Sequence, residues 1–195
     1  MAPSARRFSP ELLLQAQGLG PGMRAAFFDV DGVLTDGRLF ISEQGEDFKA
    51  FHVLDGHGLK LLAMAGIEPV VITGRDSPAV RRRMADLGVR ECHYGVADKL
   101  QVAQAWLDAK GVAWAEVAAI GDDWPDLPLL TRAGFACAPP NAHAEVISRV
   151  HHVTAAAGGA GAGREFSDIL LMASGHYHAR MAASLQDQRQ TLDSR

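Results

Sequence analysis

The sequence predicts an α/β fold, a parallel sheet flanked by helices, on three observations. Short apolar runs of strand length recur along the chain, and segments with helical spacing separate most of them. The polar residues capable of chemistry collect where those runs end. The 195 residues, 48% apolar and 22% charged, are enough for one domain with a sizeable core and marginal for two.

Taken in order, residues 1–23 read as an N-terminal extension whose apolar stretch is too short for a signal peptide. The first strand is "AAFF" (25–28). After it, "VLTDGRLFISEQGEDFKAF" (33–51) reads as a hairpin excursion, with turns at Asp36-Gly37 and around Gln44-Gly45. Further strands are "EPVVIT" (68–73), "ECHY" (91–94), "EVAAIG" (116–121), "GFACA" (134–138) and "HHVT" (151–154). Between the second and third, Ser77 and Pro78 suit the start of a helix, Val80, Met84 and Leu87 form its apolar stripe, and Gly88 suits its stop. "DKLQVAQAWLDAKG" repeats that pattern from Asp98 to Gly111. "AAAGGAGAG" (155–163) reads as a flexible loop, and 176–195 as a helix-permissive arm or frayed end. The core domain is thus 24–175, a Rossmann-like sheet carrying a β-hairpin flap.

Composition narrows the function. A formal charge of -4 and a pI near 6.0 lack the basic excess of a nucleic-acid binder, so an anionic substrate must be held by local groups. No segment reaches about 18 consecutive apolar residues, so no membrane span is expected. Cys92 and Cys137 stand in apolar or small surroundings, which suits buried thiols in a reducing compartment; the cytoplasm is the expected location.

In a parallel sheet, ligands bind beyond the carboxyl ends of the strands. Four such ends carry polar residues: Asp29 and Asp31, Thr73-Gly74-Arg75, Asp98-Lys99, and Asp122-Asp123. These groups suit phosphoryl transfer, in which a carboxylate can form an aspartyl-phosphate while cations and hydrogen-bond donors offset the charge. Asp29 and Asp122 offer hard oxygen ligands for Mg²⁺, Asp126 stands at a spacing that suits a helper, and Lys99 supplies a fixed positive charge.

"DVDGVLTDG", "ITGR", Lys99 and "GDDWPD" follow, in order, the four-motif pattern of the haloacid dehalogenase superfamily, and residues 24–175 resemble its 3-deoxy-D-manno-octulosonate 8-phosphate phosphatases. The resemblance implies that Asp29 attacks phosphorus, and that Asp31 protonates the leaving alcohol and then activates water. It implies that Thr73 and Lys99 hold the phosphoryl oxygens, with Mg²⁺ on Asp29, the main-chain carbonyl of Asp31, and Asp122, supported by Asp123 and Asp126. Substrate contacts are implied for Asp31, His52, Val53, Leu54, Asp55, Gly56, Lys60, Gly74, Arg75, Arg83, Lys99 and Arg164. Leu54 and Ala160 stand where such enzymes often carry basic residues, so a nine-carbon ulosonate 9-phosphate is the alternative substrate. The product would serve lipopolysaccharide precursor synthesis.

Only 41 residues separate Asp31 from Thr73, and 23 separate Arg75 from Lys99, too few for a folded cap. A capless site still benefits from cover. The resemblance implies a homotetramer in which a neighbour roofs each pocket, through residues 52–60 or 158–163. Other classes fit less well. A phospho-receiver domain places its lysine after the phosphorylated aspartate and its acidic pair on the first strand, whereas here Lys99 precedes Asp122 and Thr73 ends the second strand. Intact acidic and basic groups at all four motifs argue against a non-catalytic assembly protein. "GGAGAG" lacks the Lys-Ser/Thr of a phosphate-binding loop, and no carboxylate or Cys completes a metal set around His151-His152 or His176 and His178.

Overall fold

The computed structural model describes residues 8–18 and 22–193. Helix α1 (Pro10–Ala16) is opened by Ser9, whose hydroxyl accepts from the Leu12 N–H, and by a proline that needs no hydrogen-bond partner there. Strand β1 (Ala25–Phe28) leads to the acidic loop and then to the hairpin, β2 (Phe40–Ser42) and β3 (Gly45–Phe48), which pair antiparallel apart from the main sheet. There follow α2 (Val53–Met64), β4 (Glu68–Ile72), α3 (Pro78–Leu87), β5 (Glu91–His93) and α4 (Lys99–Lys110). The second half comprises β6 (Val117–Ile120), α5 (Leu127–Leu130), β7 (Phe135–Ala138), α6 (Ala144–Ile147), β8 (His152–Val153), α7 (Ala162–Ala173) and α8 (Tyr177–Asp193).

Six strands form one wholly parallel sheet in the order β5-β4-β1-β6-β7-β8. Its central strands are buried on both faces, which is why they read as continuous apolar runs without alternation. Ala26, Phe28, Val71 and Ile120 meet α2 and α7 on one face. Ala25, Phe27, Ile72 and Ala119 meet Ala103, Trp106 and Leu107 of α4 and Leu129 and Leu130 of α5 on the other. Phe8, Leu12, Leu13 and Ala16 pack into the first of these layers, placing α1 against α7. No separate cap stands among the described residues; the insertion after β1 is only the hairpin. Phe40 and Phe48 stack across it at 4.3 Å, and with Leu39 and Ile41 they remain exposed.

Two expectations change. The glycine-rich stretch 155–163 is a packed turn rather than a flexible loop. Gly158 is so close to the acidic loop that a Cβ there would overlap the Gly32 carbonyl oxygen. Gly158 N–H donates to Asn141 Oδ1 (2.8 Å), Gly159 N–H donates to the Val33 carbonyl (3.0 Å), and Asn141 Nδ2 donates to the Gly32 carbonyl (3.2 Å). Glycine is there for close approach, not for mobility. The expected terminal arm is helix α8, whose Tyr177 packs on the core and whose Arg180 donates to the Met64 carbonyl at the end of α2.

Candidate active site

The chain runs from β1 outward through β4 and β5 and then returns to the other side of β1 as β6, so the carboxyl ends of β1 and β6 border a point where strand order reverses. Asp29 follows β1 directly, its N–H bonded to the Ile120 carbonyl at 3.1 Å. Asp122 stands two residues past β6. A 3₁₀ turn, Trp124–Asp126, folds Asp126 back so that its Oδ2 accepts from Asp122 N–H (3.1 Å) and Asp123 N–H (3.3 Å). Carboxylate oxygens of Asp29, Asp122 and Asp126 thereby lie within 4.8 Å of one another. Two glycines make room: at Gly32, with φ +94°, a Cβ would overlap the Asp122 carboxylate, and at Gly121 it would lie 2.5 Å from Asp126 Cβ.

Lys99, first residue of α4, is buried and spans two of these carboxylates, with Nζ 2.5 Å from Asp29 Oδ1 and 2.6 Å from Asp126 Oδ1. Three carboxylates and one ammonium leave two negative charges in excess if all are ionised. Burial alone pushes the Asp29 carboxyl up, and repulsion from Asp126 adds to it, more than Lys99 can reverse. Asp122 is raised by burial, then by repulsion from Asp29 and Asp126, with Asp123 adding to it. Burial would lower Lys99, but the Asp29 and Asp126 carboxylates override it and hold the ammonium charged. A divalent cation with a preference for oxygen fits this donor set: it would cancel the excess and relieve the repulsion that raises Asp29 and Asp122.

These groups form the floor of an open cleft of about 280 Å³, walled by Asp31, Thr73, Gly74, Arg75 and Asp123. Thr73 is buried at the end of β4, its backbone tied to β5 by Thr73 N–H to the His93 carbonyl (3.0 Å). Arg75 is half exposed above it. Asp31 meets a partner that sequence reasoning missed. Lys49, just past β3, has a side chain only 1% exposed and donates to Asp31 Oδ1 at 2.5 Å. Its Nζ also lies 3.1 Å from Glu46 Oε2. Glu46 Oε1 in turn accepts from the Ser77 hydroxyl at 2.5 Å, and Arg75 Nε stands 3.7 Å from Oε2. Ser77 occupies the N-cap position of α3 as expected, yet its hydroxyl goes to Glu46 rather than to the helix. The available signal for Lys49 was its place between Phe48 and Phe51, a basic residue in an aromatic setting that its alternating surroundings disguise as solvent-facing.

The other residues expected to touch substrate do not border this cleft within the chain. His52, Gly56 and Arg83 meet in a neighbouring crevice with Phe51 and Asp55. Asp55 is buried, and its Oδ1 accepts the Arg164 N–H (2.7 Å) at the start of α7, so it ties two helices together. Val53 and Leu54 are exposed on the first turn of α2, and Ala160 is exposed on the glycine turn. Arg164 points to Asp168 (2.7 Å) and lines a separate cavity of about 140 Å³ with His57, Leu61 and Tyr177. Lys60 is exposed on that same side, where with Arg164 it adds to the burial that lowers the His57 pKa.

Comparison with known proteins agrees with this geometry. Residues 93–163 match the family described as haloacid dehalogenase-like hydrolase. The chain is 38% identical over 167 residues to the 3-deoxy-D-manno-octulosonate 8-phosphate phosphatase of Salmonella typhimurium, covering 86% of this chain and 87% of the relative. With the Haemophilus influenzae enzyme of the same name, identity is 45% over 147 residues, covering 75% and 82%. The fold superimposes with a TM-score of 0.83 and 35% identity on the Moraxella catarrhalis phosphatase of that name, solved with magnesium, phosphate and KDO, covering 89% of this chain and 97% of that one. With the sheet, the acidic floor and the extent of these matches all in accord, the chain belongs to the haloacid dehalogenase-like hydrolases, in their family of 3-deoxy-D-manno-octulosonate 8-phosphate phosphatases.

Proposed function

We propose that the protein is a Mg²⁺-dependent phosphatase that hydrolyses 3-deoxy-D-manno-octulosonate 8-phosphate to the free sugar acid and phosphate, serving lipopolysaccharide precursor synthesis in the cytoplasm. The observation that carries this reading is the cleft floor, where three clustered carboxylates are met by a single ammonium, which leaves two negative charges in excess. Asp29, the main-chain carbonyl of Asp31, and Asp122 would hold the ion, with Asp126 fixing the loop behind them. Bound there, Mg²⁺ supplies positive charge against the repulsion between a carboxylate nucleophile and an anionic phosphate.

The residues of the chain do the rest. Asp29 attacks phosphorus as the bond from phosphorus to the C8 oxygen breaks, and Asp31 gives its proton to that oxygen. A water then attacks the aspartyl-phosphate and passes its proton to Asp31, and the bond from phosphorus to Asp29 breaks to release phosphate. Lys99 and Thr73 hold the phosphoryl oxygens through both steps, and Asp123 steadies the 3₁₀ turn. Gly74 leaves room for the sugar, and Arg75, half exposed at the rim, meets its carboxylate.

The position of Lys60, Arg83, Arg164 and residues 52–56 away from this protomer's cleft supports a homotetramer in which a neighbouring copy brings such groups to the substrate. The exposed Leu39, Phe40, Ile41 and Phe48 of the hairpin, with Val53 and Leu54, provide apolar surface for such an assembly. The function is tested by assaying phosphate release over a panel of sugar phosphates with Mg²⁺ and with chelator. The octulosonate ester is expected to be the best substrate, only with metal, and Asp29→Asn is expected to abolish turnover while keeping the fold. Metal-independent release, or appreciable activity in that variant, would overturn the reading.

A further inference from the structure

The Lys49 side chain has no part in the mechanism above, yet it is placed where an ammonium is costly unless it is used. It is 1% exposed, and its two ion-pair partners among the described residues are Asp31 Oδ1 at 2.5 Å and Glu46 Oε2 at 3.1 Å. Lysine is seldom fully buried without a reason of this kind. A carboxylate on a short side chain can rotate about its Cβ–Cγ bond; held at Oδ1 it cannot, and Oδ2 is left without a partner among the described residues, at the wall of the cleft. Glu46 fixes Lys49 in turn. It belongs to β3, and it draws the Ser77 hydroxyl away from capping α3. The hairpin, α3 and the Asp31 carboxylate are thus joined in one chain of charge-assisted bonds.

We propose that Lys49 is the positioning residue of the acid–base carboxylate: by clamping Oδ1 it presents Oδ2 to the leaving oxygen, and Glu46 makes the clamp depend on the hairpin lying against α3. This rests on the role given to Asp31 above. Proton donation matters in proportion to how poor the leaving group is. An alkoxide needs the proton, whereas a nitrophenolate leaves nearly unaided, and positioned acid–base groups contribute roughly 10²–10⁴ in rate.

The test compares kcat/KM, which covers steps through phosphorylation of Asp29, for the octulosonate ester and for p-nitrophenyl phosphate in Lys49→Met, Lys49→Arg, Glu46→Gln and Asp31→Asn. Lys49→Met is expected to lose about 10²-fold on the alkyl ester and less than about tenfold on the aryl ester. Lys49→Arg is expected to restore part of the alkyl rate, and Glu46→Gln to show the same selectivity in weaker form. Equal losses on both esters, or no loss, in Lys49→Met would overturn the proposal; should that variant not fold, the same outcome in Glu46→Gln decides. Asp31→Asn separates the two readings. If it is leaving-group selective and the Lys49 and Glu46 variants are not, only the clamp fails; if it is not selective, the acid role of Asp31 fails first.

Discussion

Replacing Gly158 by alanine puts the packing of the glycine turn to a direct test. The added Cβ would overlap the Gly32 carbonyl oxygen and lie 2.6 Å from the Gly32 carbonyl carbon and 3.1 Å from the Thr35 carbonyl oxygen. All three atoms are backbone, so no side chain can swing aside. Ordinary contact begins near 3.4 Å, so clearing the carbonyl carbon alone requires the turn and the acidic loop to separate by 3.4 − 2.6, or about 0.8 Å, and clearing the nearer oxygen requires more. One hydrogen bond crosses that gap directly, Gly159 N–H to Val33, and Asn141 bridges it with two more, accepting from Gly158 N–H and donating to the Gly32 carbonyl. At about 1 kcal/mol net for each, the expected loss is roughly 2–4 kcal/mol. For a chain of this size that corresponds to a fall in Tm of roughly 5–15 °C. The moved loop carries Asp31, and a misplacement near 1 Å can cost about 10²-fold in kcat. Differential scanning calorimetry and a phosphate-release assay read both effects. A variant with Tm within about 1 °C of the parent and unchanged kcat would refute the idea that this turn braces the acidic loop.

Burial holds the Asp55 carboxyl pKa up, and the Arg164 N–H offsets this only in part, Oδ2 having no hydrogen-bond partner among the described residues. A folded-state pKa above the unfolded value of about 3.9 means the native protein holds the proton more tightly, so this residue's contribution to stability is present at low pH and is lost as pH rises through the raised value. Asp55→Asn, which keeps an acceptor for the Arg164 N–H, is expected to gain in Tm on the parent between about pH 4 and pH 8; a difference that stays constant or shrinks would refute the assignment. For the assembly, subunits carrying Asp29→Asn are mixed with subunits disabled at the exposed Val53 and Leu54, under conditions that allow exchange; the glycine turn is left intact because it braces the acidic loop of its own protomer. Activity above either parent is expected if a neighbour roofs the site, and verified exchange without recovery, or a fully active monomer, excludes it.

Much of the fold was legible because buried parallel strands advertise themselves. "AAFF" and "EPVVIT" have no polar face, and Gly88 stops α3 in the left-handed conformation that glycine favours. The four motif aspartates, Thr73 and Lys99 were legible for a second reason: each follows the end of a strand, so the sheet brings them together whatever the loops do. What escaped lies off the sheet. Glu46 and Lys49 reach Ser77 and Asp31 only after the hairpin folds back, a contact across separations of 31 and 18 residues that leaves no periodic trace. The glycines at 158 and 159 misled for a related reason. Composition reports the freedom of an isolated chain, and cannot say that another backbone will fill the space a side chain would have taken. Asp55 also ties α2 to α7, a contact that only the folded chain makes.

The contact of Gly158 with Gly32 also fixes when this protein can become competent during its synthesis. Asp29 and Asp31 leave the ribosome early, but β1 finds its two sheet partners only once residues 68–72 and 117–120 have followed. The acidic loop gains its brace only when Gly158 arrives, 158 − 32, or 126 residues later. Contacts so distant along the chain are made late, after most of the loop-closure entropy has been overcome. An incomplete chain that stops before this turn therefore carries all four motifs and still lacks the brace that holds the first of them, so no fragment ending before Gly158 has a finished cleft.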